Sequence, residues 1–196
     1  MASYQPGRAA AARQAAAYRK LRAAVVGVAV LVLVAAGVLA FRSGSRTVGA
    51  VTDPAAFSLP ALDGTGWVRL ADYRSKPVVV NFFSSWCTEC QAELPGFRQE
   101  ATALKGKVIF IGVDSLETGD KNFLPDRFHL AGAFTALARD VGPDGNSLHA
   151  ALGGGNTMPL TAFYGADGRL LDVERGALVP ASALKIKIAQ LFGVTS

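Results

Sequence analysis

The chain is short of the residues that hold many small domains together. Among its 196 residues there are only two cysteines, two histidines, two methionines and two tryptophans. A framework of several disulfides is excluded, because it needs cysteines spread over distant segments. A closed zinc site built from two cysteine pairs is excluded too, since it needs four ligands. His129 and His149 lie too far apart for a zinc-finger pair and read as ordinary helix-surface or half-buried residues. Gly153–Gly155 is not followed by a Lys-Ser/Thr pair, so no phosphate-binding P-loop is present. No internal repeat is found. Residues 1–52 contain no acid at all, but carry Arg8, Arg13, Arg19, Lys20, Arg22, Arg42 and Arg46. Removing these seven from the 20 bases leaves 13 bases against 15 acids. The net charge of +5 therefore belongs to the N-terminal tail. A nucleic-acid partner is not expected, because the rest of the chain has no basic surplus to offer phosphates.

What the tail does have is an uncharged run, Ala23–Phe41, "AAVVGVAVLVLVAAGVLAF". Its length is close to the ~20 residues a helix needs to span a bilayer. Bases flank it, with the larger group before it. The positive-inside rule then keeps residues 1–22 in the cytoplasm and places the remainder outside. A cleaved signal peptide is the rival reading, with Val38-Leu39-Ala40 as the cleavage site. The long basic lead and the long apolar run favour a retained anchor. The expected organisation is a basic tail (1–22), a transmembrane helix (23–41), a linker (42–55) and one folded domain (56–196).

Within the domain, apolar stretches around Asp63-Gly64 predict a short hairpin. "KPVVVNFF" (76–83) and "KVIFIGVD" (107–114) are β-branched, apolar runs of the kind buried in a sheet. Between them, Leu94, Phe97, Ala101 and Leu104 recur at helical spacing, and Gly106 is the expected stop. "LPDRFHLAGAF" (124–134) is expected to be partly helical, "TALARD" a weak strand, and "GNSLHAALGGGN" a short helix ending in a glycine loop. "PLTAFYGADGRLLDVERGAL" reads as two strands around Ala166-Asp167-Gly168. The last stretch, "PASALKIKIAQLFG", has Leu184, Ile188 and Leu191 on one helix face. Alternation of strands and helices followed by a hairpin predicts an α/β fold, a mixed sheet with helices on both faces.

Both cysteines fall in "VVVNFFSSWCTECQAELP" (78–95). Three readings compete. Half of a zinc site has no partner half. A structural disulfide between Cys87 and Cys90 would close a tiny loop and remove little unfolded-state entropy. The third reading is redox chemistry. Cys87 falls where a buried strand ends and a helix begins, and the N–H groups of a helix start stabilise a thiolate. The thiolate is the attacking form in disulfide exchange. Cys90 lies three positions on, on the same helix face, within range to resolve a mixed disulfide.

These residues, with "TMPLTAFYGADGRLL" further on, resemble the thioredoxin superfamily. More narrowly they resemble its membrane-anchored TlpA/ResA/CcmG type of thiol-disulfide oxidoreductase. The resemblance covers roughly residues 55–192 and implies a thioredoxin-like fold. It implies that Cys87 is an exposed nucleophile and Cys90 the resolving thiol. It places a cis-proline at Met158-Pro159, facing the pair and offering the backbone of Met158 to an extended substrate segment. Trp86, Met158 and Pro159 are the implied substrate-binding residues; plain core packing is the other reading of Trp86. General thioredoxins bury an Asp before the motif; here the position is Asn81, as in the TlpA-like group, which also carries a Glu after the second cysteine. Glu93 fits that place. It is expected to take a proton from Cys90, as a general base can; a solvated helix glutamate is the plain alternative. Glu89 departs from the family pattern, which often has proline there, and is expected to disfavour the Cys87 thiolate by charge repulsion. The peroxiredoxin pattern Pro-x-x-x-Thr-x-x-Cys is absent.

The resemblance implies no metal and no organic cofactor. It implies protein dithiol or disulfide substrates and a membrane thiol-transfer protein as electron donor. A reductant acting in cytochrome c maturation is the expected role, with an oxidase or isomerase of exported proteins as the alternative. A tethered Cu(I) carrier using Cys87, Cys90 and Met158 is a non-enzymatic alternative, although the spacing and a distal histidine of such carriers are missing.

Overall fold

The computed structural model describes residues 51–196. The basic tail, the span expected over 23–41 and most of the linker lie outside those residues. Among the described residues no helix is long and apolar enough to cross a membrane.

The first two strands, β1 (Ser58–Pro60) and β2 (Trp67–Arg69), form the expected hairpin. Its turn is fixed by Asp63, whose Oδ1 accepts hydrogen bonds from the Thr65 N–H (2.9 Å) and hydroxyl (2.7 Å). The hairpin is a separate two-stranded sheet.

The main sheet has the order β5-β4-β3-β6-β7. Its strands are β3 (Val78–Phe83), β4 (Ile109–Asp114), β5 (Ala136–Arg139), β6 (Leu160–Tyr164) and β7 (Leu170–Arg175). β3 lies at the centre, parallel to β4 and antiparallel to β6. Every residue of β3, β4 and β6 is buried, which explains their unbroken apolar character. Such strands are flanked on both sides and covered on both faces.

The helices are α1 (Thr88–Ala103), α2 (Phe123–Arg127), α3 (Ser147–Ala151) and α4 (Ala181–Phe192). Leu94, Phe97 and Ala101 of α1 pack with Val79, Phe83, Leu124, Leu184 and Ile188 on one face of the sheet. Leu148 and Leu152 pack with Phe57, Leu59, Val80 and Phe82 on the other. Helices thus cover both faces, as the order of elements predicts. Pro95 lies within α1 without ending it. The helix ends at Ala103, shortly before Gly106, whose φ is 84°. α4 is held to β7 by Lys187, whose ammonium lies 2.8 Å from Asp172 and 2.9 Å from Glu174.

The packing is tightest beside β4. A Cβ at Gly112 would stand 2.8 Å from Leu137 Cδ2, 2.9 Å from Phe83 Cε1 and 3.1 Å from Phe134 Cδ2. Gly112→Ala is therefore expected to destabilise the domain by about 1–3 kcal/mol through overpacking. Urea unfolding should show a lower midpoint with an unchanged slope. An unchanged midpoint would mean that the three side chains give way.

Candidate active site

β3 ends at Phe83, and Ser84–Trp86 turn the chain into α1. Cys87 is the N-cap of that helix, with extended φ and ψ of −85° and 106°. Its Sγ accepts the N–H of Cys90 at 3.1 Å. The two cysteines are joined in a disulfide with their Cα atoms 5.3 Å apart. On reduction, Cys87 lies at the positive end of the helix dipole, and Cys90 lies almost a full turn inside it. The resemblance implies an exposed Cys87. In the disulfide form Cys87 is instead 2% exposed and Cys90 fully covered. The capping geometry accounts for this, since it folds Sγ back over the helix start.

Glu93 follows one turn later and is 1% exposed. The plain alternative of a solvated glutamate is therefore wrong. Its Oε1 accepts a hydrogen bond from Asn81 Nδ2 at 2.7 Å, and its Oε2 accepts one from the Leu178 N–H at 2.9 Å. Burial pushes its pKa up to about 7, against the pull of these two donors. Asn81 also donates to Thr161 Oγ1 at 3.2 Å, while its own Oδ1 has no partner. An amide suits this place. Nδ2 faces an ionised carboxylate, and a rotated amide would offer Oδ1 to the proton of a neutral one. An Asp here would set two carboxyl groups against each other in a buried space.

Trp86 is 48% exposed, so core packing does not explain it. Its Nε1 donates to the Leu116 carbonyl at 2.9 Å. Beside it, Glu117 accepts the Ser85 N–H and hydroxyl, both at 2.6 Å. Burial raises the pKa of Glu117, but the donors from Ser85 and Gly119 together outweigh it and hold it below the ordinary value. Asp114, at the end of β4, is pushed up to about 8, first by burial and then by the charge of Glu117. Asp114, Leu116 and Glu117 line a cleft of about 940 Å³ that adjoins the motif.

The loop before β6 packs against the cysteine pair from another side, through Met158. The Met158–Pro159 peptide is cis. Met158 is half-buried against the cluster that contains both cysteines. Pro159 is buried. Val179, next to Leu178, is 48% exposed. Glu89 is exposed in the first turn of α1.

The structure thus assembles Trp86, Cys87, Cys90, Glu93, Met158 and Pro159 around one end of β3. Sequence reasoning missed Ser85, Glu117, Thr161 and Leu178. Leu178 acts through its backbone, which no side-chain pattern reveals. Glu117 lies three residues past a strand ending in Asp114, and that acidic strand end was the available signal. His149 was read as a surface or half-buried residue; it is fully buried. Among the described residues no three His, Cys, Asp or Glu side chains come together in a way that would hold a metal ion.

A parallel β3–β4 pair, an antiparallel β6–β7 hairpin, a Cys-x-x-Cys pair capping α1 and a cis-proline before β6 define a thioredoxin-like domain. The fold is thioredoxin-like, and residues 51–127 match the model of the AhpC/TSA family. It is 40% identical over 55 residues to the thiol:disulfide interchange protein DsbE of Pseudomonas fluorescens biotype C, covering 28% of this chain and 30% of that one. It is 28% identical over 114 residues to the thiol-disulfide oxidoreductase ResA of Oceanobacillus iheyensis, covering 57% and 55%. The aligned stretches thus span about a third to about half of these relatives. Among solved structures, a secreted Mycobacterium tuberculosis disulfide oxidoreductase homologous to E. coli DsbE matches with a TM-score of 0.58 and 23% identity, over 72% of this chain and 100% of that one. The exposed lipoprotein thioredoxin Etrx1 of Streptococcus pneumoniae matches with a TM-score of 0.54 and 26% identity, over 69% and 99%.

The buried carboxyl makes stability depend on pH. Glu93 titrates near 7 in the fold, against an ordinary value of 4.5. The folded state therefore holds the proton more tightly than the unfolded one. The resulting stability is complete below pH 4.5 and is lost as pH rises through 7. Over that window it amounts to about 3 kcal/mol. Glu93→Gln should flatten this fall without abolishing it, because Asp114 titrates higher still. Urea unfolding of the oxidised protein between pH 4 and 8 measures it. Parallel curves for both proteins would show that Glu93 is ionised throughout.

Proposed function

We propose that this chain is a thiol-disulfide oxidoreductase of the DsbE/ResA type, acting as a reductant of protein disulfides outside the cytoplasm. The observation that carries the reading is the Cys87–Cys90 pair at the start of α1 with the buried carboxyl of Glu93 one turn on. The names of the two curated relatives support the chemistry. The N-terminal charge imbalance around the apolar run supports the location.

In the proposed reaction the Cys87 thiolate attacks one sulfur of a substrate disulfide. That S–S bond breaks and the substrate's other sulfur leaves as a thiolate. Cys90 gives its proton to Glu93 and attacks Cys87 Sγ. The mixed disulfide breaks, the second substrate thiol is released, and the Cys87–Cys90 disulfide forms. Two electrons pass to the substrate. A membrane thiol-transfer protein returns the chain to the dithiol by the same exchange. A carboxyl titrating near 7 is suited to accept a thiol proton at neutral pH. The cis Met158–Pro159 loop and exposed Trp86 form the surface for the substrate segment. Apocytochrome c cysteines awaiting haem attachment are the proposed target. An oxidase or isomerase role uses the same steps in another direction, because a fold does not set direction.

Cys90→Ser should accumulate a mixed disulfide with a protein substrate, and Cys87→Ser should not. The reverse pattern would sink the assignment of roles. The reduction potential decides direction: a value near roughly −270 mV marks a thioredoxin-like reductant, and one near about −120 mV an oxidant. Glu89→Gln should shift that potential upward, since removing the charge favours the thiolate and so the reduced form. For the location, a reporter active only when exported should give signal when fused after Gly49. Signal from a cytoplasm-only reporter at that point would overturn the topology.

A further inference from the structure

His149 is a buried titratable group that the proposed chemistry leaves unused. It sits in α3, on the face of the sheet away from α1, and is fully covered. Its ring packs edge-on against Phe82, with centroids 5.5 Å apart. Nε2 lies 2.9 Å from the Thr157 carbonyl. A carbonyl only accepts, so the proton is on Nε2 and Nδ1 is bare; Nδ1 indeed has no partner. An apolar side chain would fill this space without burying a bare nitrogen. The contact that requires an imidazole is the one to Thr157, the residue before Met158.

The loop between α3 and β6 is held from several sides. A Cβ on Gly154 would overlap the His149 ring, so the backbone lies directly against it. The Gly154 N–H donates to the His149 carbonyl at 2.9 Å. Arg175 donates to the carbonyls of Gly153 (3.0 Å) and Leu152 (2.8 Å). The other end of the network reaches the motif. Asp140 Oδ2 accepts the His149 N–H and the Ser115 hydroxyl, both at 3.0 Å. The Ser84 hydroxyl in turn donates to the Ser115 carbonyl. One buried carboxylate thus ties the turn before Cys87 to the helix that carries His149. Among the described residues, neither the N–H nor the carbonyl of Met158 has a backbone partner, which leaves that edge open.

We propose that His149 is a positioning residue: through Thr157 it fixes the backbone of Met158 where an extended substrate segment pairs beside the disulfide. The proposal rests on the oxidoreductase reading and adds the means by which peptide substrates are distinguished from small disulfides. A free strand edge recognises an extended peptide through main-chain hydrogen bonds. A small aromatic disulfide has no backbone to pair and needs only access to Cys87.

The test uses the full chain, reduced, with two probes: a peptide containing a disulfide and a small aromatic disulfide. His149→Leu should lower kcat/KM for the peptide by about threefold to tenfold, the scale of one lost hydrogen bond. The loss should fall mainly on KM, and the rate with the aromatic disulfide should hold. His149→Gln keeps a donor near the Nε2 position and should recover most of the loss. If His149→Leu does not fold, Gly154→Ala, which presses the ring off Thr157, should show the same selective loss. Equal losses on both probes, or no loss on either, would overturn the proposal alone. A wild-type chain that reduces neither probe would overturn the oxidoreductase reading and this proposal with it.

Discussion

The carboxyl of Glu93 reaches from the inside of α1 to β3 on one side and to the loop before α4 on the other. Its bonds to Asn81 Nδ2 and the Leu178 N–H are polar links set among largely apolar surfaces. Each partner answers a different need. Asn81 sits in the central strand, so it fixes the carboxyl relative to the sheet. Leu178 N–H would be an unsatisfied buried donor without it, and such a donor is costly. Removing the carboxyl would therefore disturb the strand, the helix and the loop together. The same enclosure is what raises its proton affinity, so structure and acid-base behaviour here have one cause.

The motif itself is held from its outer side by a second set of contacts. Glu117 takes both donors of Ser85, and Leu116 takes the Trp86 indole. These bonds fix the backbone just before Cys87 and leave the indole face open to solvent. The site is thus stiff on the side of the sheet and of the strand-end loop. Its exposed rim is formed by Trp86 and the Met158 loop. This division would suit the proposed exchange, in which chains of varied sequence meet a fixed sulfur.

Much of the fold could be read from the chain. The runs at 78–83 and 109–114 are apolar throughout because both faces of the sheet are covered, and that pattern is visible without a structure. The cysteine pair was legible because a helix start after a buried strand is a local feature. Glu93 was legible by spacing and resemblance, but its burial was not, since a solvated helix glutamate fits the same spacing. Contacts made through backbone or across long separations were not legible. Leu178 contributes an N–H that any residue but proline would supply. His149 lies on a short helix with no apolar period to show which face is covered. Its burial follows from Phe82 and Gly154, which approach it only once β3 and the glycine loop are folded.

The main sheet places β3 and β6 side by side, although they lie about eighty residues apart in the chain. The cysteines therefore leave the ribosome, and cross any export channel, well before Met158 and Leu178 do. Until residue 178 arrives, Glu93 has no second donor and the packing around the pair is incomplete. A newly made chain thus presents two unguarded thiols for the time it takes to add the last half of the domain. It depends during that interval on whatever keeps other nascent cysteines from pairing wrongly.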